Sequence, residues 1–162
     1  MSHIKNVLFL CTGNSARSLI AEGILRHRGG SVYQAFSAGS KPTGMPNPHA
    51  IAVLQNNGVD TSFAASKSWD VFAGDAYGEM HIIITVCANA AGEACPIWPG
   101  HPMKAHWGVE DPAAVIGSDP EIEAAFALTF EQMDARITAL LALGDLDLPA
   151  QVDAVRKIGD IS

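Results

Sequence analysis

Cysteine and arginine stand at a fixed interval in Cys11-Thr12-Gly13-Asn14-Ser15-Ala16-Arg17-Ser18, the stretch of this chain best equipped for chemistry. It lies between an apolar run, Val7-Leu8-Phe9-Leu10, and a helical pattern from Ser15 to His27. Small, turn-prone residues between a strand end and a helix start let successive backbone N–H groups converge on one point. The positive end of the helix dipole reinforces them, so the natural occupant is an anion. Arg17, on the first helical turn, can hold two oxygens of a tetrahedral oxyanion at once. The same field favours the thiolate of Cys11, the nucleophilic form of the side chain. Ser18 is placed to hydrogen-bond that thiolate, and Asn14 to brace the loop. The expected oxyanion cradle is therefore Thr12, Gly13, Asn14, Ser15, Ala16, Arg17 and Ser18. The competing reading is a buried strand-end cysteine followed by an exposed helical arginine. The position between strand and helix favours the cradle.

Asp111, before Pro112, is the second reactive candidate. A carboxylic acid over an oxyanion-binding loop can protonate a leaving oxygen. An Asp-Pro pair also simply caps or turns a loop. Cys87 and Cys95 complete the set of three cysteines. Cys87, Cys95, His101 and His106 could be read as zinc ligands. The first spacing is too long for a common zinc knuckle, however, and Trp98 and Pro99 intervene.

The elements that must position these residues are legible in outline. Val7 to Leu10 and Ile82 to Val86 are continuous apolar runs, as expected of parallel strands covered on both faces. Val32 to Ser37 is a third strand and Ala105-His106-Trp107 a short fourth. Helical patterns lie between them. Ser15 to His27 stops at Gly29-Gly30. Asn47-Pro48 opens a helix that ends at Gly58. Ser118-Asp119-Pro120-Glu121 opens the longest helix, with Ile122, Phe126, Met133, Ile137 and Leu141 at near-helical spacing until Gly144. The tail holds one short helix after Pro149, with Val152, Val155 and Ile158 apolar. This rhythm predicts an α/β domain: three layers, a four-stranded parallel sheet with helices on both faces. Such sheets bind ligands at the carboxyl ends of their strands. Residues 1–144 form the expected domain, and 145–162 an extension packed on it or trailing from it. Two proline-bearing segments, 42–48 and 96–102, read as loops shaping a rim.

Composition narrows the class. The chain has 162 residues and a net charge of -7, which argues against nucleic acid or an anionic membrane as partner. Three cysteines are too few for a disulfide scaffold. Ile4 to Cys11 is too short for a signal peptide and is interrupted by Lys5 and Asn6. The longest apolar stretch, Ile82 to Ala88, falls far below the ~20 residues of a membrane span. A cytoplasmic location is expected.

The segment Val-Leu-Phe-Leu-Cys-Thr-Gly-Asn-Ser-Ala-Arg-Ser-Leu-Ile-Ala-Glu-Gly resembles the start of the low-molecular-weight protein tyrosine phosphatase superfamily, and within it the arsenate reductases. The resemblance continues in Ser37-Ala38-Gly39, in Lys67-Ser68-Trp69-Asp70 and in His106-Trp107-Gly108-Val109-Glu110-Asp111-Pro112-Ala113. It implies the phosphatase-like fold, with Asp111 as general acid. It also implies that the strand before Cys87 neighbours the first strand, so that Cys11 and Cys87 leave adjacent strands ~4.8 Å apart.

A phosphatase needs no second thiol, whereas reduction of arsenate needs two electrons. The resemblance therefore implies a relay. Cys11 attacks arsenate, Cys87 attacks Cys11 and releases arsenite, and Cys95 attacks Cys87. A thioredoxin or glutaredoxin/glutathione partner would then reduce the last disulfide. Phosphate and sulfate are expected competitors, and no tightly bound cofactor is required. The segment from Cys87 to Cys95, if helical when reduced, holds the two backbones ~12 Å apart. It must then unwind on oxidation, with Gly92 as pivot. The two later cysteines are eight positions apart, one more than in well-known thioredoxin-linked members, and Ala16 replaces a second loop cysteine. A route through Cys11 and Cys87 alone, with Cys95 as packing, stays open. Related reductases bind potassium beside the loop, and the matching positions are Asn14, Glu22, Ser37 and Asp70. The rival activity is that of a tyrosine phosphatase, with a phosphocysteine intermediate on Cys11. An oxyanion or redox sensor without activity is disfavoured by the presence of Cys11, Arg17 and Asp111 together.

Overall fold

The computed structural model describes residues 4–72, 78–87, 102–144 and 151–161. Four strands form one parallel sheet: β1 (Lys5–Leu10), β2 (Tyr33–Ala38), β3 (Ile82–Thr85) and β4 (Met103–His106), in the order β2-β1-β3-β4. The helices are α1 (Arg17–Gly29), α2 (Pro48–Asn56), α3 (Asp119–Ala142) and α4 (Val152–Ile158). Short 3-10 turns occupy Trp69–Phe72 and Pro112–Ala114.

The register pairs Leu10 with both Ala38 and Thr85, so three chains leave the same end of the sheet side by side. Val7, Leu8, Phe9 and Leu10 are all fully buried. Successive strand residues point to opposite faces, so β1 is covered on both sides. Each such side chain stabilises the fold by about 1.5–3 kcal/mol. Ser37 faces α1, where it bonds Glu22, while the adjacent Phe36 packs on Phe72 of the 3-10 turn with centroids 5.3 Å apart. Helical segments thus lie on both faces, as the strand and helix rhythm predicts.

Local sequence explains most boundaries. Asn47 accepts the His49 N–H and Pro48 starts α2. Ser118 and Glu121 form a reciprocal capping box at the start of α3. Gly144 follows α3 at φ 69°, in the left-handed region. α1 starts at Arg17 rather than Ser15, because Ala16, its N-cap, still has a non-helical φ of -130°. β4 begins at Met103, earlier than the Ala105 expected, since Met103 to His106 continue the pairing along Ile82 to Thr85. On α3 it is Leu140, not Leu141, that is fully buried, and Arg136 joins the buried face. α4 follows Pro149 as expected and adds Val155 and Ile158 to the core. No helix of the described residues is long and apolar enough to cross a membrane.

Candidate active site

Residues 11–16 leave β1 and reach α1 as a loop whose carbonyls are taken from outside. Lys41 N–H donates to Thr12 O at 3.0 Å, Thr43 N–H to Gly13 O at 3.0 Å and Asn47 N–H to Ser15 O at 2.8 Å. The Ser66 hydroxyl adds a second bond to Gly13 O at 3.0 Å. A trans peptide points its N–H opposite to its C=O. Fixing these carbonyls outward therefore turns the N–H groups of Gly13, Asn14 and Ala16 toward the other side. The Gly13 N–H indeed bonds the Cys11 sulfur. No side chain caps α1 at Ala16, so its N-terminal N–H groups add to the same field.

Gly39 locks this loop from below. It bonds Lys67 O and accepts the Trp69 N–H, both at 2.9 Å. A Cβ there would press into the Thr12 carbonyl oxygen and lie 2.5 Å from Cys11 O. Only glycine lets the two backbones approach so closely.

Asn14 is fully buried and left-handed, a costly conformation for a non-glycine residue unless its surroundings hold it. They do. Its amide N–H groups donate to Ser18 Oγ at 2.8 Å and Ser37 Oγ at 2.9 Å, and its oxygen accepts the Lys67 N–H at 2.9 Å. Ser18 thus serves Asn14, and the bond to Cys11 expected from the sequence is not seen among the described residues. Ser37 donates onward to Glu22, which is 1% exposed. The other Glu22 oxygen takes the Arg26 guanidinium at 2.8 Å. Burial pushes the Glu22 carboxyl above its ordinary range, while Ser37, Lys67 and Arg26 pull it back.

The four positions matched to potassium by the resemblance, Asn14, Glu22, Ser37 and Asp70, meet only in part. A cation needs oxygen lone pairs turned toward it. Asn14 turns N–H groups toward Ser18 and Ser37, both Glu22 oxygens are engaged, and Arg26 and Lys67 already oppose the Glu22 charge. Asp70 stands exposed on its 3-10 turn, with its backbone N–H on Ser68. Asn14, Glu22 and Ser37 are brought together as a brace for the loop, and Asp70 does not join them.

Cys11 and Cys87 are both buried at the ends of neighbouring strands. Thr12 N–H donates to the Cys87 sulfur at 3.3 Å. The two thiols hydrogen-bond each other, and that bond, with burial, pushes the Cys11 thiol up; Arg17 and the Gly13 N–H pull it down. Arg17 and the Gly13 N–H thus act on Cys11 in the direction read from the sequence, toward the thiolate, against burial and the neighbouring thiol.

Arg17 reaches the acid loop. Its Nη1 donates to Val109 O at 3.2 Å, and its Nη2 lies 3.6 Å from Asp111 Oδ2. Asp111 Oδ1 accepts the Ala113 N–H at 3.0 Å, capping the 3-10 turn that Pro112 begins. Asp111 is thus both a cap and a carboxyl facing the arginine of the cradle. Cys95, Gly92 and the helix expected between Cys87 and Cys95 lie outside the described residues. Sequence reasoning missed the outer clamp of Lys41, Thr43, Asn47 and Ser66. Its one legible trace is the proline-bearing segment 42–48, read as a rim.

The chain is similar to known proteins over most of its length. The low molecular weight phosphotyrosine protein phosphatase family matches residues 6–154. An arsenate reductase of Bacillus licheniformis is 35% identical over 141 residues, covering 87% of this chain and 98% of that one. A solved arsenate reductase in its phosphate binding state superposes with a TM-score of 0.69 at 28% identity, covering 86% of this chain and 98% of that chain. The thioredoxin-dependent arsenate reductase of Corynebacterium glutamicum does so at 0.64 and 30% identity, covering 88% of this chain and 62% of that one. With its nucleophile loop, arginine and Asp-Pro turn on this sheet, the chain belongs to the low molecular weight phosphotyrosine protein phosphatase family.

Proposed function

We propose that this protein reduces arsenate to arsenite by a thiol–disulfide relay beginning at Cys11. The observation that carries the reading is the second buried thiol, Cys87, which leaves the strand beside that of Cys11 and takes the Thr12 N–H of the oxyanion loop at 3.3 Å. Phosphoryl transfer has no use for that thiol, and the arsenate reductases among its relatives support the same choice.

In the relay, the Cys11 thiolate bonds to arsenic while Arg17 and the loop N–H groups hold the remaining oxygens. Asp111 gives a proton to the departing oxygen, which leaves as water. Cys87, as thiolate, then attacks the Cys11 sulfur. The S–S bond forms as the S–As bond breaks, and arsenic keeps the electron pair as arsenite. Cys95 next attacks the Cys87 sulfur and frees Cys11. A dithiol protein of thioredoxin type returns two electrons and two protons to the Cys87–Cys95 disulfide. A glutathione and glutaredoxin route acting on Cys11–Cys87 is the other donor consistent with the thiols. Phosphate and sulfate compete for the cradle. A cycle that rests on reduced thiols fits a reducing compartment such as the cytoplasm.

The test is arsenate turnover coupled to thioredoxin or to glutaredoxin, run beside aryl phosphate hydrolysis, in wild type and Cys87→Ser. Loss of arsenate turnover in the variant, with the cradle still binding phosphate, is expected. Intact turnover in Cys87→Ser refutes the relay. Hydrolysis of aryl phosphate without any arsenate reduction would make the protein a phosphatase.

A further inference from the structure

We propose that the C-terminal segment 151–161, clasped through Arg136 and Trp107, positions the loop that carries Asp111. The inference rests on the reading of Asp111 as the acid.

Arg136 is a helix residue on the buried face of α3, only 4% exposed. Burying a guanidinium is costly unless its N–H groups find partners. Among the described residues its partners are all main-chain carbonyls: Trp107 O at 3.1 Å, Ile161 O at 2.9 Å and Gly159 O at 3.5 Å. One side chain therefore ties the start of the acid loop to the end of the chain. Trp107 itself is fully buried, and its indole N–H donates to Val155 O of α4 at 3.0 Å. Arg156 Nε donates to Lys104 O in β4 at 3.0 Å. Gly159 lies so close to the His106 carbonyl that a Cβ could not fit between them.

These contacts converge on the point where β4 ends and the acid loop begins. The loop's next anchor is Val109, whose N–H bonds Val86 O at 3.2 Å and whose carbonyl accepts Arg17. Asp111 follows, facing Arg17. With the clasp released, Trp107 and Val109 keep their N–H bonds to Thr85 O and Val86 O, but the Trp107 carbonyl and indole lose their ties to α3 and α4, and the carboxyl loses its fixed position over the anion. Arg136 is thus a positioning residue acting through Asp111.

A double-mutant cycle separates positioning from bulk stability. In thioredoxin-coupled arsenate turnover, Arg136→Met should lower kcat about tenfold with the arsenate KM within about twofold. In an Asp111→Asn background the same change should have no further effect, and Arg136→Lys should recover part of the loss. An equal loss in both backgrounds, or an unchanged kcat in Arg136→Met, overturns the clasp. If Arg136→Met does not fold, Trp107→Phe keeps the ring packing, removes the N–H to Val155, and enters the same cycle.

Amide exchange needs no substrate and tests the clasp even if arsenate is not turned over. Exchange at residues 107–111 should quicken in the variant while β1 stays protected. Unchanged exchange at 107–111 overturns the clasp. An Asp111→Asn change that leaves kcat intact refutes the acid reading and the clasp with it.

Discussion

Replacing Gly39 by alanine tests how tightly the cradle is built. The added Cβ would press on Thr12 O and stand 2.5 Å from Cys11 O, where 3.4 Å is an ordinary contact. Both obstacles are main chain, so no side chain can swing aside. The Cys11–Thr12 and Thr12–Gly13 peptides must retreat by about 1 Å, carrying the nucleophile with them, and a displacement of that size costs about 100-fold in rate. The Lys41 and Thr43 bonds to Thr12 O and Gly13 O resist the shift and share the strain. Overpacking of this kind destabilises by about 1–3 kcal/mol. A domain stable by about 5–15 kcal/mol survives that. Gly39→Ala should therefore remain folded by circular dichroism and lose about 100-fold in kcat/KM for arsenate. A folded variant retaining kcat/KM within about threefold of wild type would refute the close-approach reasoning.

Other expectations concern single groups. Cys87→Ala removes the largest cause that raises the Cys11 thiol, so iodoacetamide should alkylate Cys11 faster at neutral pH than in wild type; an unchanged rate argues against the thiol pair. Glu22 has a carboxyl raised above its ordinary 4.5, chiefly by burial. The stability tied to its protonated form is present below the unfolded value and is lost as pH rises through the folded one. Denaturant midpoints of Glu22→Gln should thus gain on wild type as pH rises above about 4.5, and a constant difference would contradict this. Ser118→Ala breaks the capping box of α3 and should cost about 1 kcal/mol in a urea melt, with arsenate kinetics unchanged.

What the sequence reveals here is what neighbours decide. The continuous apolar runs of β1 and β3, the Asn47-Pro48 cap and the Ser118/Glu121 box depend on a few adjacent residues, and each stands where the pattern puts it. The nucleophile loop is legible for the same reason, because Cys11, the small residues and Arg17 are contiguous. Features built from distant segments are not. Nothing near Gly13 names Thr43 and Ser66 as the groups that hold its carbonyl. The upward shift of Cys11 arises from Cys87, on another strand. Arg136 defies the rule that charge faces water, since its carbonyl partners come from two separate loops. The positions matched to potassium show the same limit: their residue types suit a cation, but which groups they bond, and that Asp70 stands apart, is set by segments distant in sequence.

The outer clamp on the nucleophile loop consists mostly of main-chain N–H groups, those of Lys41, Thr43 and Asn47. Every amino acid except proline carries that donor. The rim can therefore change its side chains widely, in size or charge, while the anion site keeps its shape. Specificity for what approaches the mouth is free to drift without disturbing the chemistry beneath it, and proline at one of these three positions is the substitution that would break the arrangement.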